Sequence, residues 1–392
     1  MVQHQAKTPL TPAQAVVPIW SGVQQLAAVL PVDERWVLHA GPPFRSVQEL
    51  PQAVRNSVLI GILYEGWAAD KAAAEVLLDG GGVVLASAQD HDVVVPLAGV
   101  ATPSMYAIEV SDAKRPVNRK YSVLNEGMQW CTRLGIYAEE MLPHLRWLHQ
   151  DLGVRLAAQF AGPVDLAPIL QAALLNGDDG HARTMHGSRL LADTLVSWGI
   201  DDEASKRFLY GAMAWALNYW MAASALILAA QTDDHAIVKV GGNGLRFGLQ
   251  LAGQAGVWQV VAAPAIVGNK DAGNEAACAL GTIGDSAVVD FVGLGGQCLD
   301  LAGHSAKALQ AFLPTDYLSR TGQFMSQSLP FLAGRLGIAD YQAVLKNGTG
   351  PLVLLGMIDA SGERGRVGGG VATVDAALLQ QLEAWQDETT VV

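Results

Sequence analysis

The chain has 392 residues, 51% of them apolar and 16% charged, and carries a formal net charge of −12. Those totals suit a compact globular protein with two or three cores and exclude a disordered chain. The acidic balance supplies no basic face for DNA or RNA, and Cys131, Cys278 and Cys298 are too far apart for a disulfide framework or a zinc knuckle.

Residues 11–30 repeat apolar side chains at Ala15, Val16, Ile19, Val23 and Leu26, a spacing that predicts an amphipathic helix. A strand is expected at residues 36–40, stopped by Gly41-Pro42-Pro43, because proline lacks the N–H that a ladder needs. Helices at 53–63 and 68–78 flank Glu65-Gly66-Trp67, and strands follow at 83–87, 93–95 and 106–110. Strand–helix alternation of this kind predicts an open α/β layer.

From residue 122 the pattern turns helical. One long helix is expected over 125–152, then helices at 166–175, 183–198 and 205–230. Residues 208–230 carry no charge over a length that could span a bilayer, but the stretch is only moderately apolar and has no second span beside it. It reads as the central helix of a helical domain, and no membrane partner is expected. Beyond residue 236 short apolar runs at 237–240, 247–251, 257–262, 287–292 and 352–358 read as strands. Helices are expected at 305–312, about 315–333 and 376–387. The expected organisation is an N-terminal α/β domain (1–121), an inserted all-helical domain (122–235) and a C-terminal α+β domain (236–392). The N-terminus lacks a basic region followed by an apolar core, so no export signal is expected, and a cytoplasmic location follows.

A series of short motifs then falls in order along the chain. They are Leu38-His39-Ala40-Gly41-Pro42-Pro43, Glu65-Gly66-Trp67-Ala68, Pro96-Leu97-Ala98-Gly99 and Leu124-Asn125-Glu126-Gly127. Gly177-Asp178-Asp179 with His181, Asn243-Gly244 with Phe247-Gly248, Ala263-Pro264 and Gly284-Asp285-Ser286-Ala287 complete it. Together they resemble the AllG/YlbE/YahG-like family from about residue 35 to 385. The resemblance implies a multi-domain α/β protein with a helical insert. It also implies a place in an oxamate carbamoyltransferase, where carbamoyl passes between phosphate and oxamate in the breakdown of oxalurate from allantoin. FdrA-like and YlbF-like subunits are the implied partners, with carbamoyl phosphate and an oxamate-like acid as small molecules and a homo-oligomer as the assembly.

Carbamoyl transfer places charge on the carbamoyl oxygen, so preorganised donors are the main requirement. Glycine turns at 241–244 and at Gly293–Gly296, including Gly295 and Gly296, could offer backbone N–H groups. Arg45 and Arg246 could clamp a carboxylate or phosphate, against the alternative of surface ion pairs. His39, His91 and Asp285 are the catalytic candidates, His39 as general acid or donor; a structural histidine and a turn-capping aspartate are the competing readings. The motifs add Glu65, Asn125, Asn243 and Ser286 as substrate-binding candidates. Asp178 or Asp179 could cap the helix that follows. Asp90-His91-Asp92 points its groups different ways along a strand, and no nucleotide-binding loop occurs, so neither metal nor cofactor is assigned. The family often carries a Cys and histidines where this chain has residues 88–96, AQDHDVVVP, leaving only His91. A Gly-Lys is replaced by Gln129-Trp130, and Leu354-Leu355-Gly356 and Asp359-Ala360 stand in place of more polar groups. These departures keep a non-catalytic scaffold subunit of an FdrA-like complex, or an amide hydrolase, as alternatives.

Overall fold

Proline decides the first element. Pro18 falls within the span whose spacing suggested a helix, where it would remove a backbone hydrogen bond and clash with the preceding turn. In the structure, a computed structural model describing residues 10–30, 34–126 and 130–385, the chain instead forms the strand Pro18–Gln25. That strand sits in a five-stranded sheet ordered Val93–Val94, Arg115–Val123, Tyr106–Asp112, Pro18–Gln25 and Val164–Asp165. Trp20 buries its indole completely, stacking on Trp198 at 4.8 Å and meeting Tyr219 edge-on at 5.1 Å. One strand residue thereby joins the sheet to two helices.

The uncharged stretch is a core helix. Trp215–Ala229 has every residue from Trp215 to Leu228 buried, and it packs on Tyr106–Asp112 and Arg115–Val123 on one side and Ala287–Val292 on the other. It does not begin at residue 205. Glu203–Gly211 forms a separate helix, bent from it by 63°, and the Met213 carbonyl at the bend accepts the Thr184 and Ser188 hydroxyls. Among the described residues no single helix is long and apolar enough to cross a membrane.

Four other expectations give way to local chemistry. The helix expected over 125–152 is confined to Met141–Arg146, continued by a π-helical turn Trp147–Leu152 and Gly153–Ala158; before it, Gly135 takes φ +70° against Ala53, and residues 127–129 lie outside the described set. The apolar run 287–292 is a buried helix, Ala287–Val292, because a short run that is apolar all round has no period to separate the two states. Residues 315–333 cannot continue a helix through Pro330; they form the strand Met325–Ser328, which pairs with Leu336–Ala339. The tail helix is limited to Ala376–Leu379, and Glu383–Ala384 then adds a strand beside Gln259–Ala262; residues 386 and 387 lie outside the described set.

The remaining strands and helices agree closely with the sequence. Trp36–His39 pairs with Val84–Ser87 and Val100–Ala101. Ile237–Asn243 and Arg246–Leu251 form an antiparallel pair. Val267–Lys270, Arg366–Thr373 and Leu352–Ile358 make a three-stranded sheet. The result is a mixed α/β and α+β fold whose largest apolar cluster runs from Ala13 to Leu379.

One carboxylate binds the early part of the chain to the late part. Asp285 Oδ1 accepts the Gly41 N–H at 2.9 Å and the Gln89 amide at 2.7 Å, and Oδ2 accepts the Val95 N–H at 2.9 Å. Beside it Gly41, at φ +71°, presses on Gly242 so closely that a Cβ would lie 2.3 Å from the Gly242 carbonyl carbon. Gly41→Ala is therefore expected to cost about 2 kcal/mol or more, from the left-handed strain plus the clash, read as a lower urea midpoint.

Burial pushes the Asp285 carboxyl up to about 7, against the pull of its three donors. The unfolded chain releases this proton near pH 4 and the folded chain holds it to about 7, so across that window rising pH lowers stability. Relative to Asp285→Asn, the melting-temperature advantage of the native chain is expected to shrink between pH 5 and pH 8. An advantage that grows over that range would reverse the assignment.

Candidate functional site

Four groups of residues line an open cavity of about 990 Å³. The turn Pro96-Leu97 and residues Glu126 and Arg133–Ile136 form one wall, and the loop His181–Met185 with the helix bend at Met213 forms another. The sheet containing Asn269, Gly356 and Gly369 is the floor, and the helix Gly303–Leu309 closes the remaining side.

The loop 177–184 has no regular structure, so its backbone N–H groups need acceptors. Asp178 Oδ2 accepts the N–H groups of His186 and Gly187 at 2.8 and 2.9 Å and thereby caps the helix Met185–Ser197. Asp179 Oδ1 accepts the N–H groups of His181 (2.7 Å) and Arg183 (3.0 Å), while Oδ2 takes the Ser305 hydroxyl at 2.6 Å. The loop thus delivers His181 to the cavity in a fixed position.

His181 Nδ1 lies 2.6 Å from Asp290 Oδ2, and both side chains are buried. Asp290 Oδ1 also accepts the N–H groups of Gly296 (3.0 Å) and Leu354 (3.3 Å). Burial pushes the Asp290 carboxyl above its usual range although His181 and both N–H groups pull it down. A carboxylate holding one imidazole nitrogen leaves the other to exchange a proton. Nε2 makes no hydrogen bond to the described residues.

The charges lining the cavity oppose the charge of the chain. Arg133, Arg183, Arg364 and Arg366 stand against Glu126 and Asp271, an excess of two positive charges in a protein of net −12. Arg133 Nη2 is held by the fully buried Glu126 at 2.8 Å. Burial works against the Arg133 charge, but Glu126 and Cys131 together more than offset it, so the guanidinium stays protonated. Arg366 pairs with Asp271 at 3.2 Å and Arg364 with the Gly273 carbonyl and Asn274. His304 is exposed at the same cavity. Among the described residues no group of three or more His, Cys, Asp or Glu side chains is arranged to hold a metal ion.

Of the residues proposed from sequence, Ser286 lines this cavity. The others lie elsewhere. His39 is buried, with Nδ1 at 2.9 Å from the Ala40 carbonyl and its ring 4.6 Å from Phe44; burial lowers it to about 4, so it is neutral. His91 is exposed at the end of a short 3-10 turn. Arg246 makes a bidentate pair with Glu49, 2.9 Å on each arm, and lies over Trp385 at 4.8 Å, where Arg45 also approaches at 5.3 Å. Glu65 accepts from Thr102 and from the N–H and hydroxyl of Ser104. Asn125 donates to Thr132 at 3.0 Å. Asn243 donates to the Pro42 carbonyl and accepts the N–H groups of Leu245 and Arg246. The N–H groups of Gly295 and Gly296 are taken by the Asp179 carbonyl and Asp290.

Sequence reasoning noticed Gly177-Asp178-Asp179 with His181 but not its partner. Asp290 stands 109 positions from His181, inside an apolar run that gave no sign of a functional group. Arg133 had no local signal either, whereas Arg366 carries one in the adjoining Gly368-Gly369-Gly370.

The profile of the family described as "Oxamate carbamoyltransferase subunit AllG" matches residues 83–286, just over half of the chain. The chain is 26% identical over 394 aligned positions to the oxamate carbamoyltransferase subunit AllG of Escherichia coli K12, covering 94% of this chain and 93% of that protein. It is 28% identical to the uncharacterized protein YahG of the same organism over 73% of this chain and 63% of YahG. The crystal structure of a conserved protein of unknown function from Enterococcus faecalis V583 shares the fold, with a TM-score of 0.84 at 23% identity, covering 95% of this chain and 96% of that one. On the strength of that profile match and of similarity along almost its whole length, the chain belongs to the AllG family.

Proposed function

We propose that this chain is a subunit of an enzyme that moves a carbamoyl group between phosphate and a small carboxylated amide such as oxamate. The observation that carries this reading is the net positive cavity facing an aspartate-held histidine, built into a protein that is otherwise strongly acidic. Phosphate, carbamoyl phosphate and oxamate are all anions, and guanidinium groups bind planar or tetrahedral oxyanions through charge-assisted hydrogen bonds.

In the direction that forms carbamoyl phosphate, an oxygen of hydrogen phosphate attacks the carbamoyl carbon of oxalurate. The carbonyl oxygen becomes negative in the tetrahedral intermediate, and arginines of the cavity stabilise it. The C–N bond then breaks and the oxamate nitrogen takes up a proton. Phosphate gives up one proton in the same reaction, so a single relay balances the chemistry. His181 Nε2 is the group we assign to that relay, with Asp290 holding the ring through Nδ1. AllG of Escherichia coli is named as one subunit of its enzyme; subunits of the FdrA-like and YlbF-like kind, together with further copies of this chain, are the partners this reading calls for. A cytoplasmic setting suits the free cysteines.

The test is phosphate release from carbamoyl phosphate by the chain assembled with its partner subunits. Release is expected only when oxamate or a related acceptor is present. His181→Gln is expected to lower kcat by about 100-fold or more while the melting temperature and phosphate affinity stay near those of the native protein. Absence of release with every acceptor would remove the transferase reading, and native-like turnover by His181→Gln would remove the relay.

A further inference from the structure

Arg366 opens the strand Arg366–Thr373, and its side chain runs over two glycines that face each other across the sheet. Gly356 and Gly369 are direct cross-strand partners, and both line the cavity. A Cβ on Gly356 would lie 3.5 Å from Arg366 Cδ and 3.6 Å from Nε, and one on Gly369 would lie 3.2 Å from Nη2. The side chain therefore rests on a strip of bare backbone, and no neighbouring side chain rises from either glycine beside it.

The guanidinium is tethered on one corner only. Nη1 donates to Asp271 Oδ2 at 3.2 Å, with both side chains about half exposed. Nε and Nη2 make no hydrogen bond to the described residues. Those two groups form one straight edge of the guanidinium, and its two parallel N–H bonds match the spacing of the two oxygens of a carboxylate. Across the same floor, Leu97 Cδ1 would lie 3.5 Å from a Cβ at Gly356. Leu97 holds φ +49°, an unusual state for a residue with a side chain, which the surrounding structure must maintain. Arg366 and Leu97 Cδ1 thus both border one slot over the bare backbone of Gly356.

We infer that Arg366, resting on the Gly356–Gly369 floor and steadied by Asp271, is the clamp for the acceptor's carboxylate, and that the slot selects a small flat acid whose carboxylate adjoins a planar carbonyl or amide. This assignment rests on the transferase reading of the cavity and adds its acceptor subsite. A tetrahedral phosphate gains little from a thin slot, so the two anions depend on Arg366 to different extents. Lysine at this position keeps the charge but has no paired edge. Alanine at position 369 keeps the arginine but puts a methyl group 3.2 Å from Nη2, which pushes on the guanidinium and fills the space beside it.

Calorimetric titration of the full chain with oxamate and, separately, with inorganic phosphate distinguishes these effects. Arg366→Lys is expected to weaken oxamate binding tenfold or more while changing phosphate binding less than twofold. Gly369→Ala is expected to produce the same selective loss, and both variants to keep a melting temperature close to that of the native chain. Oxamate binding by Arg366→Lys within twofold of native, equal losses for oxamate and phosphate, or no oxamate binding by the native chain would each overturn the clamp. If oxamate binds through Arg366 but no acceptor releases phosphate from carbamoyl phosphate, the transfer reaction is lost and the clamp stands.

Discussion

Burying a carboxylate is expensive unless its oxygens are fully used, and the fold depends on one that is. Asp285 gathers donors from Gly41, Gln89 and Val95, three points in the early strands and turns, onto a residue two positions before the buried helix Ala287–Val292. Its neighbours on both sides of the contact face the cavity: Ser286 follows it in sequence, and Pro96-Leu97 follow Val95. The interaction that closes the core therefore also sets one wall of the site. Leu97 can keep its left-handed backbone because Val95 is anchored two residues before it, and because Gly284 has no Cβ, which would lie 2.6 Å from the Leu97 nitrogen.

Other buried acids do related work nearer the cavity. Asp178, Asp179 and Asp290 all accept backbone N–H groups from segments that are irregular or at the ends of elements, where no ladder or helix can satisfy them. Their negative charge is spent on the framework. The lining of the cavity itself carries four arginines against Glu126 and Asp271, so a positive excess faces this concavity of an acidic protein while Asp178, Asp179 and Asp290 stand behind it. Net charge says nothing about the sign of a local field, which is set by how each carboxylate is engaged.

This division of labour also explains what could be read in the sequence and what could not. Strands such as Trp36–His39 and Leu352–Ile358 and helices such as Gln52–Tyr64 and Leu166–Leu175 were legible because their periodicity and their breakers are local. Ordered motifs gave the family for the same reason. The run at 287–292 was not legible, since burial on all sides erases the period that separates strand from helix. The site suffered a different loss. Arg246 and Asn243 looked like ligand-binding groups by type and setting, yet Glu49, Trp385 and Pro42, all remote in sequence, engage them. His181 was visible beside Gly177-Asp178-Asp179, but Asp290, which holds its ring through Nδ1, was hidden in an apolar stretch.

Glycine carries the same lesson further. The turns around residues 241–244 and 293–296 looked like cradles because their N–H groups were assumed to be free, and in the fold those of Gly244, Gly295 and Gly296 are bound internally. At Gly41 and Gly242 the missing side chain serves close approach of two backbones. At Gly356 and Gly369 the same absence leaves a floor open to the cavity beside a guanidinium with a free edge. A glycine pattern thus reports where side chains are forbidden, and only the neighbouring elements decide whether backbone or ligand takes the space. In this chain the two outcomes lie on different sheets: backbone fills the space at Gly242, and the cavity takes it at Gly356 and Gly369.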